Sequence, residues 1–331
     1  MKSEYYIMVT NHWRIPSFII MIINAIAINC CILFALNARA ETYDYQLQPR
    51  NVAQGTWVFV GSTEDFSFTN GGNIVNTGFI VTTDGVLVID TGPSLRYGQQ
   101  MRKAISLITD KPVVLVINTH HHPDHFLGNQ AYADLPILAL PEAASGEERD
   151  GGAFTDNMYR MVGDWMRGTE PRPASQFNVP EHLKLGDHEI DFLRFSGHTG
   201  GDLEVFDRTT GVLFSGDIVF HDRAPTTPHA SISNWLKSLD ALKALPFQVL
   251  VPGHGQPTVN AAPIDQTRQY LVWLDTALRR GLADGLDMAE MLVQPVPSQF
   301  SHLSLVSREY QRSVSHLFPA LERELLNSEN P

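Results

Sequence analysis

The sequence predicts an α+β protein, a four-layer αββα sandwich with further helices at its C-terminal end. Two β-rich halves each lead into an amphipathic helix, short apolar runs in both halves are separated by Gly- and Asp-bearing turns, and the periodicity after Pro263 is helical. In the first half, residues 56–60, 73–82 and 86–89 read as strands of one sheet, divided by Asn70-Gly71-Gly72 and Asp84-Gly85, which favour hairpin turns. A helix over 94–108 follows, with Met101, Ala104, Ile105 and Ile108 as its apolar stripe, and it leads into a buried strand at 113–117. The second half repeats the theme with strands at 188–195, 203–206 and 212–214, a helix over 231–245 and a strand at 248–251. Trp235, Leu236, Leu239 and Leu242 form that helix's inward stripe, with Ser231 or Ser233 as N-cap. Between the halves, residues 141–180 are rich in Glu, Gly and Pro and read as an excursion suited to a lid, with one short helix over 155–166. Helices are expected at 267–282, 288–293 and 303–326. The organisation is then 1–40, a sandwich domain over 41–262 and a helical extension over 263–331.

Residues 1–40 stand apart. Lys2 and Arg14 precede an apolar stretch over 15–36 that ends in Ala38-Arg39-Ala40, the layout of a secretory signal cleaved after Ala40. The stretch also approaches bilayer-spanning length, so an uncleaved anchor competes with that reading. Cleavage implies a periplasmic protein with no stable membrane span. Both cysteines, Cys30 and Cys31, lie in this segment, and Asn29 before Cys30 is too large for a lipoprotein site. The mature chain would therefore lack cysteine, so its core must hold the fold and any metal must be bound by His and carboxylate. A hydrophobic content of 43% supports a sizeable core, and a net charge of −12 excludes a nucleic-acid backbone as the main partner.

The chemistry gathers at His120-His121-His122-Pro123-Asp124-His125, directly after the strand at 113–117. Residues two apart in an extended segment point the same way, so His120 and His122 can grip one ion, while Asp124 and His125 fall where the chain turns into a helix and can face a neighbour. Zinc accepts imidazole nitrogen and carboxylate oxygen, so four such groups within six residues form a ligand nest. His121 points the other way and reads as a surface residue. Three further donors, His198, Asp217 and His254, each follow a predicted strand and are flanked by glycine, which permits close backbone approach to a metal-binding turn.

These residues resemble the five motifs of the metallo-β-lactamase superfamily, in order, over roughly residues 56–258. The resemblance implies that His120, His122 and His198 bind a first zinc, that Asp124, His125 and His254 bind a second, and that Asp217 bridges the two. Asp90, in Ile89-Asp90-Thr91-Gly92, matches the first motif and would orient the ligand loop. The implied reaction is hydrolysis by a metal-bridging hydroxide, with Asp124 relaying a proton. An aspartate at 217 disfavours the lactamases that carry cysteine there and is similar to glyoxalase II-type thioesterases. No basic cluster to hold glutathione carboxylates is evident in the C-terminal helices. The segment 215–230 resembles the exported zinc metallohydrolases of quinoprotein relay systems, which implies a small-molecule substrate and an association with a PQQ-dependent dehydrogenase system. There His221, Arg223 and His229 are candidate pocket residues, or else part of a Pro-rich loop covering a helix start. The same ligand set is also compatible with a β-lactamase, or with a non-catalytic metal-containing periplasmic relay or binding module.

Overall fold

The computed structural model describes residues 43–329, and the expected signal segment with its cleavage point lies outside the described residues. One sheet runs in the order β1 (Arg50–Ala53), β2 (Thr56–Phe59), β3 (Thr77–Val81), β4 (Val86–Ile89), β5 (Val113–Ile117), β6 (Ile137–Leu138). Its first four strands pair antiparallel, and β4, β5 and β6 pair parallel. A parallel pair needs a crossover, which helix α1 (Leu95–Ser106) supplies between β4 and β5. The Ser94 side chain accepts a hydrogen bond from the Tyr97 amide and caps α1, an interaction worth about 1 kcal/mol. All of β4 is buried, as befits a strand covered on both faces.

The second sheet runs in the order β11 (Val249–Val251), β10 (Val212–Phe214), β9 (Asp202–Asp207), β8 (His188–Phe195), β7 (His182–Leu185). Here only β10 and β11 are parallel, joined through α4 (Ile232–Lys243). The sheets meet face to face where the Phe214 ring fills the space left by Gly78, at which a Cβ would lie 2.3 Å from the ring. On the outer face of the second sheet, α5 (Ala262–Ala283), α6 (Met288–Leu292) and α7 (Val306–Glu329) join α4. Leu213, Trp235, Leu239, Leu274, Val314 and Phe318 are part of their common buried cluster. Burying each such side chain stabilises the fold by roughly 1.5–3 kcal/mol. The result is the expected αββα sandwich with C-terminal helices.

Strands β1, β6 and β7 were not expected, and two further departures bear on the site. Residues 73–76 are not strand: Asn76 turns its side chain across the molecule instead, accepting from the Gly61 amide at 3.1 Å and donating to the Pro252 and Gly255 carbonyls at 2.8 and 2.6 Å. The part of 141–180 expected as an irregular excursion opens with a long helix, α3 (Pro141–Val162), not a short one over 155–166. Pro141 at the first turn suits a helix start. Gly146 disguised the helix in the sequence, since a mid-helix glycine costs about 1 kcal/mol relative to alanine. It is there because a Cβ would lie 2.5 Å from the His121 ring. Packing against the ligand loop overrides local propensity.

Candidate metal centre

The ligand loop follows from its local conformation. After β5 the chain bends through residues 119–121, His122 is extended, and Pro123 then starts the short helix α2 (Pro123–Phe126), placing Asp124 and His125 on its single turn. The other half contributes turns at strand ends: His198 beyond β8, Asp217 beyond β10 and His254 beyond β11. At Gly253, a Cβ would lie 2.0 Å from the Asp217 carboxylate, so any side chain there would collide with the centre. All seven expected ligands converge and all are buried.

They sort into two groups. His122 Nδ1 lies 3.2 Å from His120 Nε2 and 2.8 Å from His198 Nε2, and Asp217 Oδ2 lies 3.8 and 3.3 Å from the same two nitrogens. In the second group, Asp124 Oδ2 is 3.8 Å from His125 Nε2 and 3.5 Å from His254 Nε2. Asp217 stands between the groups, with Oδ1 3.2 Å from His125 Nε2 and Oδ2 3.2 Å from His254 Nε2. A tetrahedral ion with ligand bonds of about 2.0–2.1 Å separates its donors by about 3.3 Å, and these edges scatter around that value. His125 Nε2 and Asp217 Oδ1 are buried without a hydrogen-bond partner, a deficit that a cation between them would relieve. The donor set therefore fits a metal site.

Neighbouring groups aim the ligands. Asp90, at φ 57°, accepts from the Thr119 amide and hydroxyl, each at 2.8 Å, and its Oδ2 lies 2.8 Å from His125 Nδ1. A proton on Nδ1 then donates to Asp90 and leaves Nε2 for the centre. His254 Nδ1 lies 2.7 Å from the Ile74 carbonyl and 2.8 Å from Arg223 Nη1, which together hold the ring in place. His122 is reversed: Nδ1 faces inward and Nε2 lies 2.9 Å from His229 Nδ1. Burial, reinforced by neighbouring imidazoles, holds His120 and His122 well below the usual histidine range, as ligation by neutral imidazole requires. Burial opposes protonation of His125 as well, but Asp217, Asp90 and Asp124 outweigh it and push this group well above that range. For Asp217, burial is outweighed by His254, His125 and His198, which hold it well below the usual carboxylate range.

His121 is not a surface residue. It is 5% exposed, packed against Gly146 of α3 with its ring centroid 4.9 Å from that of His229, and burial followed by the His229 charge pushes it down to about 4. Above the ligands lies a cleft of about 380 Å³, whose apolar lining comes from Phe66, Ile74, Phe154, Met161 and Pro228. Arg223 and His229 line it, as expected. His221 does not: its ring Nδ1 lies 2.6 Å from the Gln256 carbonyl, outside the cleft lining.

Three positions at the site are not apparent from the motifs. Asn76 fastens the His254 turn, and no sequence signal marks it. Arg312 and His316 of α7 line the cleft, which corrects the expectation that the C-terminal helices carry no basic cluster. Arg308, Arg312 and His316 recur at intervals of four, one face of a helix, and that spacing is the signal that could have found them.

The sequence model of the metallo-beta-lactamase superfamily matches residues 70–254. A linear primary-alkylsulfatase of a Pseudomonas species is 22% identical over 286 residues, covering 72% of this chain and 53% of that protein. The chain thus spans about half the length of that relative. An acyl-coenzyme A thioesterase of Gallus gallus is 27% identical over 216 residues, 56% of this chain and 74% of that protein. Among solved structures, a metallo-beta-lactamase from Pontibacter korlensis superposes with a TM-score of 0.56 at 20% identity, covering 69% of this chain and 99% of that one, a likeness of fold.

Proposed function

The chain belongs to the metallo-β-lactamase superfamily, and from that premise we propose that it is a two-zinc hydrolase that cleaves an ester-type bond in a small molecule with an apolar group. The observation that carries this reading is the position of Asp217 between two sets of buried donors, with its Oδ1 and His125 Nε2, 3.2 Å apart, both without a hydrogen-bond partner. When bound, two divalent ions would activate water near neutral pH and polarise the electrophilic oxygen.

The chain's own residues do the rest. Asp90 holds the His125 ring in register, Asn76 holds the His254 turn, and Asp124, on the cleft lining, is placed to relay a proton between water and leaving group. The apolar wall excludes water from the far side of the bound substrate. Ester-type chemistry is favoured by aspartate rather than cysteine at 217 and by the names of two relatives, an alkylsulfatase and a thioesterase.

The zinc-loaded protein is to be assayed on an acyl thioester, an alkyl sulfate, a lactone, a phosphodiester and nitrocefin, with His122→Ala as control. We expect two zinc per chain by metal analysis and turnover of an ester or thioester that His122→Ala abolishes. Turnover that survives the substitution refutes the reading, and cleavage of nitrocefin alone replaces it with a β-lactamase. Export to the periplasm is proposed from the Lys2-to-Ala40 layout, and association with a PQQ-dependent dehydrogenase system from segment 215–230. N-terminal sequencing of the periplasmic fraction and co-purification test them.

A further inference from the structure

The cleft differs in charge from the rest of this acidic chain. Among the described residues that line it, the only carboxylates are Asp124 and Asp217, both metal-type donors, whereas basic side chains come from Arg223, His229, Arg312 and His316. The chain as a whole carries −12, so two arginines on the cleft wall, with no acidic side chain there besides the metal-type donors, are a local departure.

The arginines are also not fully neutralised by their neighbours. Asp65 Oδ2 lies 2.7 Å from Arg308 Nη1 and 2.9 Å from Arg312 Nη2, and Glu309 Oε1 lies 2.8 Å from Arg312 Nη1 and 3.9 Å from Arg223 Nη2. Three guanidiniums thus share two carboxylates in this network, which leaves positive charge in excess. Burial raises Glu309, opposed by Arg223 and Arg312 beside it. The Arg312 side chain remains 31% exposed, and His316, one turn further along the same face, is exposed where it meets the cleft.

We infer that α7 builds an anion subsite at Arg312 and His316, so that the substrate is an apolar chain bearing an oxyanion group, such as a carboxylate, in addition to the bond that is cleaved. This rests on the hydrolase reading above. The apolar body lies against Phe66, Phe154 and Met161, the scissile group reaches the metal donors, and the anion pairs with α7. A guanidinium with free donor capacity gives a charge-assisted hydrogen bond, about twice as strong as a neutral one.

Two esters of equal chain length test it: p-nitrophenyl hexanoate, which is neutral, and mono-p-nitrophenyl adipate, which ends in a carboxylate. In the zinc-loaded wild type the adipate ester should have a KM roughly tenfold lower, the effect of one hydrogen bond to a charged group. Arg312→Met and His316→Glu should each bring the ratio of the two KM values close to one. His316→Glu changes an exposed position and so guards against loss of folding in Arg312→Met. A wild-type ratio near one, or a ratio that neither variant moves, overturns the subsite. If neither ester is cleaved the hydrolase reading is in difficulty, and calorimetric binding of hexanoate against hexanol still decides the subsite. Weaker hexanoate binding in both variants supports it, and binding equal to wild type refutes it.

Discussion

The floor and the walls of the cleft are built in opposite ways. Four of the seven floor ligands lie within six residues, on one strand end and the helix turn that follows, and the other three sit in strand-end turns of the second sheet. The walls come from Phe66, Phe154, Met161, Pro228 and Arg312, on segments far apart in sequence that meet only in the folded chain. Chemistry is locally encoded and held by short rigid turns, whereas selectivity depends on how long helices lie over them.

If that contrast holds, damage to the floor should remove metal and activity together, and damage to the walls should not. The largest effect is expected for His122→Ala, which removes Nδ1 from the first group. Bound zinc should fall by about one ion per chain and turnover by more than about a hundredfold, read by elemental analysis and steady-state rates. Asp90→Asn keeps the shape but weakens the acceptor that orients His125. Zinc affinity should drop about 10- to 100-fold in chelator competition, with secondary structure retained.

A wall helix offers a third test, through stability rather than activity. Burial pushes Glu147 of α3 up to about 8 from an ordinary 4.5, offset in part by the hydrogen bond it accepts from the Ala174 amide at 2.6 Å. Because its pKa is raised on folding, its contribution is fully present below the ordinary value and is lost as pH rises through about 8. The loss is about 1.4 kcal/mol per pH unit across that window. Glu147→Gln should therefore flatten the fall in stability between pH 5 and 8, measured by urea unfolding, and an unchanged slope would show that the carboxyl is solvated. The smallest effect belongs to His221→Ala. With its ring on the Gln256 carbonyl and outside the cleft, the substitution should change kcat/KM and stability by no more than about 0.5 kcal/mol. A larger loss in kcat/KM would return His221 to the site.

Much of the sandwich was legible in the sequence, because α1 and α4 have stripes at helical period and their flanking strands are short and apolar. The long α3 was not. Its glycines argue against a helix locally, and the reason for Gly146, the His121 ring against it, exists only after folding. His121 was misplaced for the same reason: alternation along an extended segment says that it points away from His120 and His122, but not that a helix covers that side. Asn76 and the face of α7 act across 176 residues and across the whole domain, distances over which no local pattern speaks.

By itself the sequence marked the candidate metal donors and their order, since they sit at strand ends or on the helix turn that follows one, where geometry follows from the immediate neighbours. The tertiary structure alone decided which side chains wall the cleft, that His229 and not His221 belongs to it, and that the last long helix brings Arg312 and His316 to the cleft of an acidic protein. Those outcomes depend on the docking of helices α3 and α7, which is set by packing between segments and is not written in any one of them.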